Sequence, residues 1–409
     1  MKTHQFEMMR ALKYLLIFTL LINTISFLGC YPALKEEAQR PEEALIPVRF
    51  FYPDFLDDMD LDSLAQAINR NLEYLDRLDP EYLFSYGPHQ YTRRQVRESQ
   101  EALLRLIAKG PDAKELNKRI RKDFLIYRAA GRVGNKRVLF TGYFEPIFEG
   151  RLHPDDTFKY PLYRKPDDLL TIDLSIFNTD FGDRRIIARI DGNEILPYYS
   201  REQIEVEKVL EGENLEIAWL KDPLDVTFLH IQGSGRLQLP EEKMMSVGYK
   251  ASNGRPYKSI GRLMLEKGFL SREEMSMQSI RNYLSSHPEI MEEVLNHNQS
   301  YVFFRVIESG GPFGNINVPL TPGRSVALNA RLFPKGALCY ISCQKPVVNS
   351  SGEIVSWTNF SRFIINQDTG GAIRGSGRAD IFWGSDNFAE LAAGHMKHEG
   401  ELYILIKKP

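Results

Sequence analysis

From Arg137 to Gly235, and again from Tyr301 onward, the chain is written in short runs of β-branched and aromatic residues closed off by glycine and proline. That punctuation restricts the fold more than any other feature. Val138-Leu139-Phe140-Thr141-Gly142-Tyr143-Phe144 and Val226-Thr227-Phe228-Leu229-His230-Ile231-Gln232 read as strands in the first region. Tyr301 to Ile307, Gly336 to Ser342, Ser361 to Ile365 and Leu402 to Ile406 read as strands in the second, with a helix from Asn387 to Ala393. Two helices separate the regions, one over Pro256 to Lys267 and one opened by a Ser271-to-Glu274 capping box. Ahead of them Leu61, Leu64, Ala65, Ile68, Leu72 and Leu75 keep the three-and-four spacing of a buried helix face. Further helices are expected over Arg93 to Ala108 and Lys114 to Ala130. The expectation is a mainly β protein with N-terminal helices. At 409 residues there is room for two or three domains, and 43% hydrophobic against 26% charged content excludes a disordered chain. A net charge of −2 argues against nucleic acid as a partner, and three cysteines exclude a disulfide scaffold and a four-cysteine zinc site.

The N-terminus carries an address. Lys2, Arg10 and Lys13 precede an uncharged run from Tyr14 to Gly29, too short to span a bilayer comfortably and typical of an export signal. Phe27-Leu28-Gly29-Cys30 resembles the bacterial lipobox, which implies cleavage before Cys30 and lipidation of its thiol; an ordinary buried cysteine is the alternative. Cleavage removes Lys2, Glu7, Arg10 and Lys13, leaving 49 basic and 53 acidic residues, a net −4. Tyr31 is not aspartate, so the resemblance implies sorting to the periplasmic face of the outer membrane. Pro32 to Val48 is charged and poor in apolar residues, and reads as a solvated tether reaching roughly 50–60 Å when extended.

The richest chemistry lies between Asp368 and Gly384, where Asp368-Thr369-Gly370-Gly371 and Gly377-Arg378-Ala379-Asp380-Ile381-Phe382-Trp383-Gly384 place two aspartates around a glycine-rich turn. A carboxyl beside Phe382 and Trp383 has its pKa raised by desolvation, which suits a general acid. A tight β-hairpin whose aspartates cap turns fits the same pattern.

With this block, an ordered set of segments resembles the membrane-bound lytic murein transglycosylase A family. They include Phe140-Thr141-Gly142-Tyr143-Phe144-Glu145-Pro146, Tyr160-Pro161-Leu162-Tyr163, Pro197-Tyr198-Tyr199-Ser200-Arg201, His230-Ile231-Gln232-Gly233-Ser234-Gly235, Val247-Gly248-Tyr249, Asn253-Gly254, Pro256-Tyr257-Lys258-Ser259-Ile260-Gly261 and Pro319-Leu320-Thr321-Pro322-Gly323-Arg324-Ser325. The resemblance implies a double-psi β-barrel domain assembled from both chain ends, a second β-barrel-like domain inserted into it, and a groove between them. It divides the chain into a lipoprotein signal peptide (1–29), a tether (30–48), a helical part of the first domain (49–141), the inserted β domain (142–309) and the double-psi part (310–409). It implies cleavage of the β-1,4 bond between N-acetylmuramic acid and N-acetylglucosamine without water, leaving a 1,6-anhydro sugar, in cell-wall turnover. Asp380 falls on the family's catalytic general acid and base, and Asp368 on a supporting acidic position. Tyr143, Gln232, Ser234, Gly235, Tyr249, Asn253 and Tyr257 fall on groove positions facing the glycan strand. Asn329 stands where the family usually has an aspartate, keeping hydrogen bonding and losing charge. No cofactor or metal is implied; His395 and His398 beside Glu399 lack an evident third ligand.

Other readings remain. Asp368-Thr369-Gly370 copies the aspartic-peptidase motif, although no second copy exists in the chain. A non-catalytic peptidoglycan-binding lipoprotein would accommodate Asn329. Lipid through acylated Cys30, glycan strands, and other cell-wall enzymes are the partners expected.

Overall fold

The structure, a computed structural model, describes residues 37–182, 184–271, 274–308 and 311–409. Cys30, the export segment and the first part of the expected tether lie outside the described residues.

Three helices lead. α1 (Leu61–Asp76) starts where the Asp60 side chain accepts from Ser63 N, and it buries Leu64, Ala67, Ile68 and Leu75. α2 (Arg93–Ile107) opens with a Thr92–Gln95 capping box, and α3 (Ala113–Asp123) with an Asp112 cap. The third helix is shorter than the expected Lys114-to-Ala130 span, because Phe124–Ala129 is a strand. It is sandwiched edge to edge between Leu45–Val48 and Tyr403–Lys407, burying Phe124, Ile126 and Tyr127. Ladder pairing on both sides overrides the helical continuation that local pattern suggests. The same pairing corrects the tether. Pro41–Ala44 forms a helical turn, Leu45–Val48 pairs with Ile126–Ala129, and Ala38, Ala44 and Leu45 are buried. The few apolar residues of that charged stretch are the ones that dock it.

Six strands close into a barrel: β1 (Val138–Tyr143), β2 (Ser325–Ala327), β3 (Leu338–Val348), β4 (Ile354–Asp368), β5 (Arg378–Phe382) and β6 (His398–Lys407). Their order is β6-β3-β4-β2-β5-β1, with β1 pairing back onto β6. β2 runs parallel to β4 and β5 parallel to β1; the other pairings are antiparallel. Phe140, Val326, Ile341, Ile364, Ala379, Ile381, Leu402 and Ile404 fill the interior. Gly400 is required where β6 crosses β3, since a Cβ there would lie 2.4 Å from Ser342 O. The long β3–β4 hairpin extends well beyond the apolar runs that mark it in the sequence.

The chain between β1 and β2 builds separate sheets. Ile147–Glu149, Ser234–Gln238, Met244–Ser252 and Val302–Ile307 form one of four strands, and Leu170–Asp173, Arg185–Asp191 and Glu194–Pro197 another of three. Val226 to Gln232, expected as a strand, is instead the body of α4 (Pro223–Gln232). Asp222 caps it through Leu224 N, Pro223 occupies the first turn, and Gly233 ends it at φ 76°. Residues 224–230 are all buried, so the segment shows no helical periodicity to read. Ser271 and Glu274 do hydrogen-bond reciprocally, but the helix α5 begins later, at Met277, under a Ser276 cap (Met277–Ser286). The preceding helix starts at Ile260, capped by Ser259, and not at Pro256. α6 (Asn387–His395) follows β5 and packs against β1.

Candidate active site

The barrel register brings the two aspartates together. Ala327 on β2 is the partner of Asp368 on one side and of Asp380 on the other, while Thr141 on β1 is the partner of Asp380. In-register residues share a face, so both carboxylates flank the small methyl of Ala327. Tyr143 lies two residues beyond Thr141 and therefore on that face, and its hydroxyl donates to Asp368 Oδ2 at 2.8 Å.

The two carboxyls are held differently. Asp368 Oδ1 accepts from Asn315 N (2.9 Å) and from Thr369 N (2.8 Å), so together with Tyr143 it receives three donors. Burial outweighs them and pushes Asp368 up to about 6, with the nearby Asp380 charge adding to the rise. Among the described residues Asp380 has one hydrogen-bond donor, the Thr141 hydroxyl, 2.5 Å from Oδ1. Thr141 Oγ1 in turn accepts from Arg378 Nη2 at 3.2 Å, which turns its proton toward the carboxyl. Burial raises the Asp380 pKa above the ordinary carboxylate range, against the lowering effects of Thr141 and the Arg378 charge. Tyr143 is pushed well above the usual phenol value, by burial first and then by the Asp368 and Asp380 charges. Tyr257 comes from the inserted region and approaches the Gly371 turn; burial raises its pKa, and the charges of Arg378 and Asp380 both reach it.

An aspartic-peptidase dyad needs two carboxyls sharing one proton. Here Asp368 and Asp380 are each bonded to their own donors and, among the described residues, not to each other, so the Asp-Thr-Gly triplet serves another arrangement.

The remaining candidates divide by environment. Gln232 ends α4 with Oε1 accepting from Phe144 N at 3.0 Å, tying the helix to the strand exit from the barrel. Asn253 is fully buried; its side chain donates to the carbonyls of Tyr199 and Gln299 and accepts from Tyr301 N and Arg255 N, so its hydrogen-bonding capacity is spent on the fold. Ser234 is buried, and Gly235 is needed because a Cβ there would come 2.4 Å from Leu229 Cδ1. Tyr249 is half exposed, its N–H bonded to Gly233 O. Asn329 turns its side chain onto Arg331 N at 3.1 Å and caps its own turn, just beyond Ala327. Thr141 and Arg378 were missed by sequence reasoning. Their signal was the two-residue spacing, Thr141 before Tyr143 and Arg378 before Asp380, which puts each on its partner's face of a strand.

Comparisons with known proteins place this geometry. Residues 139–305 match the MltA specific insert domain and residues 324–406 the 3D domain. Membrane-bound lytic murein transglycosylase A of Vibrio cholerae is 31% identical over 272 residues, which are 66% of this chain and 65% of the relative's length. A crystal structure of the membrane-bound lytic murein transglycosylase from Agrobacterium tumefaciens superposes with a TM-score of 0.72 at 30% identity, covering 89% of this chain and 98% of that one. Escherichia coli MltA with bound chitohexaose shares the fold, with a TM-score of 0.67 at 22% identity over 92% of this chain and 98% of that one. The barrel assembled across an insertion, the paired aspartates and these matches together make the chain a member of the membrane-bound lytic murein transglycosylase A family.

Proposed function

We propose that this chain is a peptidoglycan lytic transglycosylase that cleaves the β-1,4 bond between N-acetylmuramic acid and N-acetylglucosamine without water and releases 1,6-anhydromuropeptides. The observation that carries the reading is the asymmetry of the two carboxyls. Asp380 leaves Oδ2 unbonded among the described residues and has a raised pKa, as a proton donor requires. Asp368 is engaged by three donors, which suits electrostatic support more than activation of a water.

One free carboxyl is enough for this chemistry. Glycoside hydrolases need a second carboxylate as nucleophile or to activate water. In the anhydro reaction the muramic C6 hydroxyl attacks C1 of its own ring, so nucleophile and electrophile already belong to one molecule. Asp380 Oδ2 gives its proton to the glycosidic oxygen as the C1–O bond breaks. The C6 oxygen then bonds to C1 and passes its proton to Asp380, restoring the acid. Between these steps Arg378 and Thr141 steady the carboxylate, and Asp368 with Tyr143 fixes the charge pattern around the cation-like sugar. Tyr257 and Tyr249 offer ring faces to the glycan on the side opposite the barrel.

The chain is also proposed to be held at the periplasmic face of the outer membrane through acylated Cys30. From Cys30 to Ala38, the first buried residue among those described, is at most about 29 Å. The leash is half as long as the charged stretch suggests.

The test is mass spectrometry of muropeptides released from purified sacculi, beside Asp380→Ala. Products lighter by one water than hydrolysis products, and absent with the variant, support the assignment. Hydrated reducing ends would make the enzyme a muramidase, and no products from either form would make it a binding protein.

A further inference from the structure

The loop that follows Leu45–Val48 presents a feature the proposed reaction does not use. Phe50 is 68% and Phe51 99% exposed, side by side. Phe51 has φ 58°, a left-handed backbone that costs a bulky residue energy and is kept only where the surroundings impose it. The base of the loop supplies that constraint. Tyr52 Oη donates to Arg49 O, and Arg121 Nη2 donates to Pro53 O at 3.1 Å and to the Asp54 carboxylate at 2.7 Å. The two rings therefore stand on a fixed footing.

Around them the chain gathers unneutralised positive charge. Leu45–Val48 and Tyr403–Lys407 flank the same strand, with Val48 opposite Ile126 and Lys407 opposite Phe124, so Arg49 and Phe50 leave the sheet at the same end as Lys407, with that one strand between them. Lys408 Nζ donates to the carbonyls of Arg121 and Lys122, which brings the end of α3 to the same place. The acidic neighbours Asp54 and Asp123 are already paired with Arg121 and Arg119. Arg49, Lys122, Lys407 and Lys408 form no ion pair among the described residues.

We propose that the Phe50–Phe51 tip and its basic collar seat on an anionic lipid surface, giving the folded body a membrane contact of its own. Exposed aromatic rings with a cationic rim match the chemistry of such a surface, where rings enter the headgroup boundary and basic residues meet anionic lipids. A lipid occupant is favoured by that charge complementarity and by the short distance from Cys30 to the folded body. Two contacts in place of one fix the orientation of the barrel, and hence of the groove, relative to the membrane.

The test uses the membrane-attached chain reconstituted in vesicles of phosphatidylethanolamine and phosphatidylglycerol, with and without brominated acyl chains, as Phe51→Trp and as wild type. Flotation reports attachment. Subtracting wild type removes the emission of Trp219, Trp357 and Trp383. The expected result is loss of most of the added emission to brominated chains, protection of it from aqueous iodide, and reversal of both by Lys407→Glu with Lys408→Glu. An added indole open to iodide in a chain that floats overturns the proposal and leaves the Cys30 anchor standing. A chain that does not float overturns both. Protection from iodide without vesicles means that another protein or a further segment of the chain covers the rings, and also overturns it.

Discussion

Replacing Thr141 by valine removes the single hydrogen bond to Asp380 while nearly preserving side-chain shape. A hydrogen bond to a charged group contributes about 1.5–3 kcal/mol, and one pKa unit corresponds to about 1.4 kcal/mol, so its loss should raise the Asp380 pKa by about 1–2 units. Partial exposure of the carboxyl trims this toward one unit. The sign is fixed by role. A general acid must be protonated, so kcat/KM falls as pH rises through its pKa, and the alkaline limb should move to higher pH in Thr141→Val. Arg378 loses its acceptor in this variant and can turn toward Asp380, which would pull the pKa back. Arg378→Met therefore accompanies it, and removal of that positive charge also moves the limb upward. Thr141→Ser should restore the wild-type profile, because the hydroxyl is what matters. The rate below the limb should fall about tenfold to a hundredfold in Thr141→Val, since the transferable proton is no longer assigned to Oδ2. The assay is initial release of anhydromuropeptides from sacculi across pH, with thermal melting as a control for folding. An alkaline limb that stays put or moves down in both Thr141→Val and Arg378→Met would mean that Asp380 is not the acid behind it.

Asp380→Asn should lower turnover by about a hundredfold or more while leaving the melting temperature equal or higher, because the variant removes a desolvated carboxyl together with the acid. Asp368 has a folded-state pKa of about 6 against an ordinary value of 3.8, so it stabilises the fold when protonated and that contribution is lost as pH rises through this window. Urea midpoints at pH 4 and pH 7 should show Asp368→Asn losing about 1–2 kcal/mol less than wild type over the interval, and a parallel fall in both proteins would contradict it. Arg236 Nε bonds Glu145 Oε2 at 2.9 Å, and Arg236 also bonds Ser385 after β5, so Arg236→Met leaves a buried carboxylate unpaired at the joint between the two regions. That should cost about 2–4 kcal/mol in urea denaturation, part of it recovered by adding Glu145→Gln. Gly142→Ala should cost about 1–3 kcal/mol, because its Cβ would stand 2.6 Å from Trp383 Cδ1 and 2.9 Å from Ala393 Cα.

Much of the site was legible without coordinates. The Asp368-to-Gly384 block names both carboxyls, and two of the groove candidates lie near them: Tyr143 bonds Asp368, and the Asp380 charge reaches Tyr257. The apolar runs of β3, β4 and β6 mark the barrel, because a strand buried in a barrel core needs consecutive β-branched and aromatic residues whatever surrounds it. α1 and α2 are equally plain: one face is buried and one is wet, so the helical period shows, and Asp60 and Thr92 cap them by bonds internal to a few residues.

The features that local sequence hides have a common cause. α4 is buried on all sides and loses its period, so burial cannot distinguish it from a strand. Phe124–Ala129 and Leu45–Val48 become strands through partners distant in the chain, one of them at the far C-terminus. Gln232 and Asn253 match groove positions, yet Gln232 Oε1 accepts from a backbone N–H 88 residues away and Asn253 Nδ2 donates to a carbonyl 46 residues away. Thr141 reaches Asp380 across 239 residues, through a parallel strand pairing. Local sequence determines caps, periods and the chemistry a residue can offer. Which partner receives it depends on barrel register, a property of strands that meet only in the folded chain.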